Sequence, residues 1–290
     1  MRPMPFAPDA RIDEVLRDAR ARVEAVGIDR GDAEWLLAHV LGKSRSWLYA
    51  HGDDVFPSDI APRYSNLLER RIAGEPLAYL TGRKAFWRFE LHVTPDTLVP
   101  RPETELLVEL ALAHLPRDRE VHVADLGTGS GAIALAIAWE RPRAKIVAVD
   151  ASAGALDVAR GNARALRLDH VEFRLGDWCE PLGDERFDVI ASNPPYIALG
   201  DLHLEALRYE PSSALASGHD GLDAIRAILR GAPAQLKPGG ALLIEHGYDQ
   251  GEVVRTLFAQ AGFIDIDTGL DVEQRERVTS GCMPGGQALG

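Results

Sequence analysis

The chain has almost no cysteine: Cys179 and Cys282 are the only two among 290 residues. They fit neither a metal-ligand nor a redox spacing, which excludes a disulfide-stapled scaffold and points to a reducing compartment. Also missing is any uninterrupted apolar run of the roughly 18 residues that a membrane-spanning helix needs. The stretch from Met1 to Leu16 carries acidic and basic residues where a secretory signal would carry its apolar segment. A cytoplasmic protein without membrane association is therefore expected. Basic excess is absent too. The formal net charge is -12, and the segment from Met1 to Phe86 holds equal numbers of acidic and basic residues, so the acidic excess lies wholly in the remainder. A polyanion gains little from such a surface, because nucleic-acid affinity rests on counterion release by clustered Lys and Arg. Direct nucleic-acid binding is not expected. The 9 histidines are scattered without an obvious metal pair, so no metal is expected either.

What is present is ordinary core material: 46% apolar and 26% charged residues. At about 150 residues per domain, the length predicts two units, and a monomer is expected. Ile12, Val15, Leu16, Ala19, Val23 and Val26 recur at helical spacing, with Gly27 as a stop. Asp32 is placed to cap a second helix carrying Leu36, Leu37, Val40 and Leu41, and Ser44 and Ser58 to open two more. From Ala85 to Val99 the pattern turns aromatic and alternating, which predicts a β-hairpin. Pro100, Pro102 and Glu103 then mark a helix start. Beyond them, β-like runs alternate with helical ones: Val121–Asp125, Lys145–Asp150, Val171–Leu175, Phe187–Ser192 and Ala241–His246. That alternation implies parallel strands joined by helices, with ligands at the carboxyl ends of the strands. Phe263–Asp267 and Arg277–Ser280 are expected to pair antiparallel at one edge.

Four of these strands end in chemistry. Gly127, Thr128, Gly129, Ser130 and Gly131 follow the first and precede an apolar helix, the arrangement that lets a ligand approach the backbone closely. The third glycine comes one residue too early for the dinucleotide pattern, and Ala132 stands at its site, which argues against a nicotinamide dehydrogenase. Asp150 ends the next strand, where a carboxylate accepts hydrogen bonds from ribose hydroxyls. After the third strand, Asp177 is placed to accept from an adenine amino group, and Trp178 to wall off the ring. Adenosine binding is the common reading.

Asn193, Pro194, Pro195 and Tyr196 follow the fourth strand. The two prolines stiffen the turn and remove two amide donors, leaving carbonyls free to accept. A planar NH2 is a poor nucleophile because its lone pair is delocalised. Accepting both its hydrogens, at the Asn193 side-chain oxygen and the Pro194 carbonyl, orients the nitrogen, and Tyr196 would pack on the flat face. Positioning then does most of the catalytic work. The tetrapeptide alone leaves open whether the NH2 is a glutamine amide or a flipped adenine, and a non-catalytic adenosine-binding module is the rival of another class.

The residues resemble the bacterial release factor glutamine methyltransferases, the PrmC or HemK family. The likeness spans nearly the whole chain: Gly74 to Gly82, Leu98 to Glu105, the Gly127–Gly131 loop, Asn193–Tyr196, Glu210-Pro211, Gly221-Leu222-Asp223 and Glu245-His246-Gly247. It implies an α/β, Rossmann-like class I methyltransferase domain at 101–290, mostly parallel with an antiparallel edge. A helical bundle at 1–84, which would grip the partner, and a β-hairpin linker at 85–100 would precede it. It implies S-adenosyl-L-methionine held by Gly127 to Gly131, Asp150, Trp178 and Asn193. The acceptor implied is the glutamine of a Gly-Gly-Gln tripeptide in class 1 peptide chain release factors, held by Asn193 to Tyr196. Ribosomal-protein methyltransferases share the tetrapeptide, but their stretch equivalent to Pro100–Glu105 usually departs after the arginine, so Pro102 and Glu103 favour the release-factor branch. Gly285-Gly286-Gln287 repeats the tripeptide and reads as an unordered glycine-rich tail.

Overall fold

The computed structural model describes Phe6, Ala7 and residues 9–285; Gly286 and Gln287 of the glycine-rich tail lie outside them. The chain divides into two compact units between Gly82 and Arg83.

The first unit contains helices α1 (Ile12–Glu24), α2 (Gly31–Leu41), α3 (Arg45–Ala50), α4 (Ala61–Ile72) and α5 (Leu77–Thr81). Ile12, Val15, Leu16, Ala19 and Val23 form the buried face of α1, as their spacing predicts. Val26 falls beyond the helix end and is exposed. Ser44 caps α3 by accepting from the Trp47 amide at 3.1 Å. Two expected caps are not caps. Asp29 accepts from the Gly31 amide at the start of α2, while Asp32 lies inside that helix and pairs with Arg71 at 2.7 Å. Helix α4 opens at Ala61, with proline in its first turn, rather than at Ser58. Leu36, Leu37, Tyr64 and Leu68 join the face of α1 in one apolar core. One charge is buried there: Glu34 is held by Arg20, Arg45 and the Tyr49 hydroxyl, which satisfies a carboxylate that would otherwise be costly to bury.

The second unit begins with a hairpin, β1 (Arg83–Phe86) and β2 (Phe89–His92), followed by α6 (Thr104–Ala113), β3 (His122–Leu126), α7 (Ala132–Glu140), β4 (Lys145–Asp150), α8 (Ala153–Leu166), β5 (Val171–Leu175) and β6 (Phe187–Ser192). Then come α9 (His203–Ala206), α10 (Asp223–Gln235), β7 (Leu236–Glu245), α11 (Gly251–Gln260), β8 (Ile264–Leu270) and β9 (Glu276–Cys282). The hairpin starts earlier than expected and is no separate linker. Phe86 and Leu91 are buried in the core of the second unit, and Trp87 and Phe89 pack against it.

Seven strands form one sheet in the order β5-β4-β3-β6-β7-β9-β8. All pairs from β5 to β7 are parallel, and β9 pairs antiparallel with both β7 and β8, the predicted antiparallel edge. Strands β3, β4 and β6 are nearly continuous apolar runs because helices cover both faces. Helix α7 is buried from Ala132 through Ala138, so its sequence lacks an amphipathic period. No helix among the described residues is long and apolar enough to cross a membrane.

The order of the sheet reverses about β3. From there the chain runs outward through β4 and β5, then returns to place β6 on the other side of β3. At such a switch point the connections diverge and leave a crevice beyond the carboxyl ends of the strands.

Candidate active site

Register decides which residues meet in that crevice. Leu126 of β3 pairs with Val149 of β4 and with Ser192 of β6, and Ser192 pairs in turn with Ile244 of β7. The next residues along are Asp150, Gly127, Asn193 and Glu245. They stand level across four neighbouring parallel strands, each about 4.8 Å from the next. The Ser192 hydroxyl donates to the Leu126 carbonyl at 2.7 Å and ties the ends of β3 and β6 together.

A cavity of about 410 Å³ opens over this line, large enough for a nucleoside-sized ligand. Gly127, Thr128, Gly129 and Ser130 line it, as do Asp150, Asp177, Trp178, Asn193 and Pro195. The cofactor loop and the tetrapeptide thus share one chamber. Gly131, Pro194 and Tyr196 do not line it. Gly131 begins α7 at φ +86, and a Cβ there would come within 3.0 Å of Leu135 and 3.3 Å of Ala159, so its role is backbone geometry rather than ligand contact. Pro194 is buried behind the turn and Tyr196 is half-buried. The Tyr196 carbonyl accepts from Gln250 Nε2 at 3.0 Å, which holds the end of the tetrapeptide. Its phenol feels the charges of Glu245, Arg277, Arg101 and Glu103, and burial first, then Glu245, pushes its ionisation well above the ordinary range. It stays neutral.

Buried polar contacts hold the loop. Asp125 Oδ2 accepts from the Thr128 hydroxyl at 2.6 Å and from the Ala134 amide at 3.1 Å, bracing the turn and capping α7 together. Burial pushes this carboxyl up to about 7, and its Oδ1 has no partner among the described residues. Asn162 of α8 donates to the carbonyls of Ser130 and His92, at 2.8 and 2.9 Å, and accepts from the His92 amide. The glycine loop is thereby joined to the hairpin.

Asp150 accepts from the Gly129 amide through Oδ2 and from the Ser152 amide through Oδ1, both at 2.8 Å. Burial raises its pKa, and these backbone bonds oppose the rise. Each oxygen keeps a free lone pair, which fits the two hydroxyls of a ribose. Trp178 adopts φ +45 and packs over Gly127, where an added Cβ would lie 3.4 Å from the indole. It lines the cavity and also packs against the second apolar core of this unit. Asp177 is exposed at the cavity wall. Asp96, Asp150 and Asp177 face inward while Arg101, the cation among the lining residues, is paired with Glu210. The cavity therefore favours a cationic ligand such as a sulfonium.

Three contributors have no site role in the sequence reading. The segment Asp96 to Arg101, which straddles the end of the linker expected at 85–100, supplies one wall. Glu210 holds that wall by accepting from the Val99 amide at 3.0 Å and from Arg101, next to Pro211, Ser213 and Ala214 on the same rim. Thr104, buried at the start of α6, accepts from Asn193 Nδ2 at 3.1 Å. Thr104 falls within the family-like stretch Leu98 to Glu105, but that stretch reads as a helix start and gives Thr104 no role in the site.

The PrmC N-terminal domain family matches residues 14–82, and the methyltransferase small domain family matches residues 103–208. A release factor glutamine methyltransferase from Xylella fastidiosa (strain 9a5c) is 55% identical, covering 89% of this chain and 94% of that protein. Proteins of the same description from Burkholderia pseudomallei (strain K96243) and Escherichia coli (strain K12) are 49% and 44% identical, over 91% and 92% of the chain and 95% and 96% of theirs. Among solved structures, a methyltransferase from Pyrococcus furiosus superposes with a TM-score of 0.52 at 19% identity, over 76% of this chain and 99% of its own. The last comparison bears on the fold alone.

Proposed function

The chain belongs to the release factor glutamine methyltransferase family, and on that premise we propose that Asn193 and its neighbours present a release-factor glutamine to the methyl group of S-adenosyl-L-methionine. One observation carries this reading: the glycine loop and Asn193 line a single cavity at one level of the sheet. The enzyme is an S-adenosyl-L-methionine-dependent protein methyltransferase. When bound, the cofactor supplies an electrophilic methyl group on a positively charged sulfur.

The protein residues do the rest by placement. Gly127 to Ser130 and Asp150 hold the nucleoside, and Trp178 covers it. Asn193 Oδ1 and the Pro194 carbonyl each accept one hydrogen of the substrate NH2. The amide plane is then fixed and its nitrogen points along the line of transfer. The chamber bears no ionised base at the acceptor position; the proton leaves for solvent once the methylated nitrogen has become acidic. Tyr196 does not line the cofactor cavity; in this reading its ring flanks the amide on the acceptor side of Asn193, as a neutral phenol that does not compete for the methyl.

The acceptor proposed is the glutamine of a Gly-Gly-Gln tripeptide in class 1 release factors, modified in the cytoplasm by a monomer with no direct nucleic-acid contact. The first unit would add to recognition: exposed Trp35 and Tyr49 lie beside Arg45 and Arg20, an aromatic and cationic surface suited to a protein partner. The test is methyl transfer from labelled cofactor to purified release factor. Label is expected on the unaltered factor and absent when the tripeptide glutamine is changed to alanine, with none on ribosomal protein or nucleic acid. Label on nucleic acid that falls steeply with salt would instead assign the site to an adenine amino group.

A further inference from the structure

Glu245 ends β7 at the level of Asn193 on the adjacent strand. It is 1% exposed, and its Oε2 has no hydrogen-bond partner among the described residues. The Thr104 hydroxyl and the Asn193 side chain lie near enough to this carboxyl to favour its ionised form, and Asn193 Nδ2 donates to Thr104 Oγ1 at 3.1 Å.

These contacts have a direction. An ionised carboxylate can only accept, so the group facing it must be the NH2 of Asn193 and not its oxygen. One hydrogen of that NH2 is donated to Thr104, the other is turned toward the Glu245 carboxylate, and Oδ1 is left to face the acceptor. An asparagine amide is otherwise nearly symmetric in shape, and turning it over would offer the substrate NH2 a donor where it needs an acceptor. We propose that Glu245, acting through Thr104 and Asn193, is a positioning residue that sets which way the catalytic amide faces. This inference rests on the reading of Asn193 given above.

A buried carboxylate with an unsatisfied oxygen is a costly way to fill space. Burial pushes this one up to about 7, with Thr104, Arg277 and Asn193 opposing the rise and Glu103 adding to it. Of the other groups nearby, Tyr196 is neutral and Arg101 is paired with Glu210. Protonation turns Glu245 into a donor on one oxygen and loosens its hold on the Asn193 orientation. Activity should therefore rise with pH through about 7, as the carboxylate forms.

The test compares Glu245→Gln with Thr104→Val, the double variant and Asn193→Ala. Glutamine has the size of glutamate but can donate toward Asn193 and select the inverted amide. Loss of an outer partner that orients a catalytic group costs about 10–100-fold. A fall of that size is expected in kcat for E245Q. The KM for release factor and the affinity for cofactor should stay within about threefold, because neither ligand touches Glu245. Melting temperature should hold or rise, since a buried charge is removed. The pH dependence of kcat near 7 should disappear in E245Q, and the double variant should lose little more than either single one, because both break the same chain. An unchanged kcat in E245Q, with Asn193→Ala inactive, would overturn this proposal and leave the assigned site intact. An active Asn193→Ala would overturn the site itself. A drop in cofactor affinity and melting temperature that matches the drop in rate would reduce Glu245 to a structural part of the sheet.

Discussion

Replacing Asn193 with alanine is expected to lower kcat by about 10²–10³-fold, the usual effect of deleting one preorganised hydrogen-bonding group at a reacting centre. The acceptor nitrogen has a delocalised lone pair and gains nothing from the enzyme except placement. Without Oδ1, one of its hydrogens has no fixed acceptor, and the amide can rotate away from the line of transfer. Asn193 also lines the cofactor cavity, but Gly127, Gly129, Asp150 and Trp178 build most of that side, so cofactor affinity should fall far less than kcat. Asn193→Asp should be no better than alanine. It has the right shape, but it brings a second carboxylate against Glu245 and loses the donors that hold Thr104 and Glu245. Single-turnover rates with release factor, alongside equilibrium binding of the cofactor, separate the two effects. A large loss of cofactor binding with transfer intact once the cofactor is saturating would refute this division of labour.

Replacing Asp150 should do the opposite: weaken the cofactor and leave the acceptor alone. Two hydrogen bonds donated by ribose hydroxyls to an ionised carboxylate contribute about 1.5–3 kcal/mol each. Losing them, with the brace on Gly129, should raise the cofactor Kd by about 100-fold or more. Asp150→Asn is the sharper test. Its oxygens are already committed to the Gly129 and Ser152 amides, so an NH2 on either side must face a backbone donor. The isosteric variant should bind cofactor as poorly as alanine does. Titration calorimetry would show it, and near-native binding by Asp150→Asn would mean that the carboxylate does not receive the ribose.

The fold was legible where local pattern and tertiary role coincide. Strands β4, β5 and β6 match their expected bounds because each is short and closed by Asp150, Gly176 or Asn193, β4 and β6 as apolar runs and β5 as an alternation of Val171, Phe173 and Leu175 with charged residues. Strand β7 starts earlier than its apolar run, at Leu236. Its first half, with Lys237, Pro238 and Gly239, reads as a turn and joins β6 only across a register shift between Phe187 and Val189. Asp32 looked like a cap because aspartate before a helical run usually is one; an ion pair with Arg71, distant in the chain, claimed its carboxylate.

In the site, the residues proposed to hold ligands were visible because their motifs are contiguous. Those behind them stood in family-like stretches, but with no role that the sequence could assign. Thr104 and Glu245 come from opposite ends of the domain and meet Asn193 only through the register of β6 on β7 and the docking of α6. The wall from Asp96 to Arg101 lies across the end of the expected linker at 85–100, and the likeness of Leu98 to Glu105 to the family does not by itself mark the segment as cavity lining. Gly131 belonged to the glycine pattern, yet its α-carbon faces Leu135 and Ala159. A glycine motif records where side chains are forbidden, and here one such place is packing rather than ligand.

The most direct measurement is the structure of this protein with demethylated cofactor and a release factor bound together. The account predicts the glutamine NH2 in the turn after β6, donating one hydrogen to Asn193 Oδ1 and the other to the Pro194 carbonyl, with its nitrogen in line with the cofactor sulfur. A glutamine bound elsewhere, or an Asn193 that turns its NH2 toward the substrate, would contradict it.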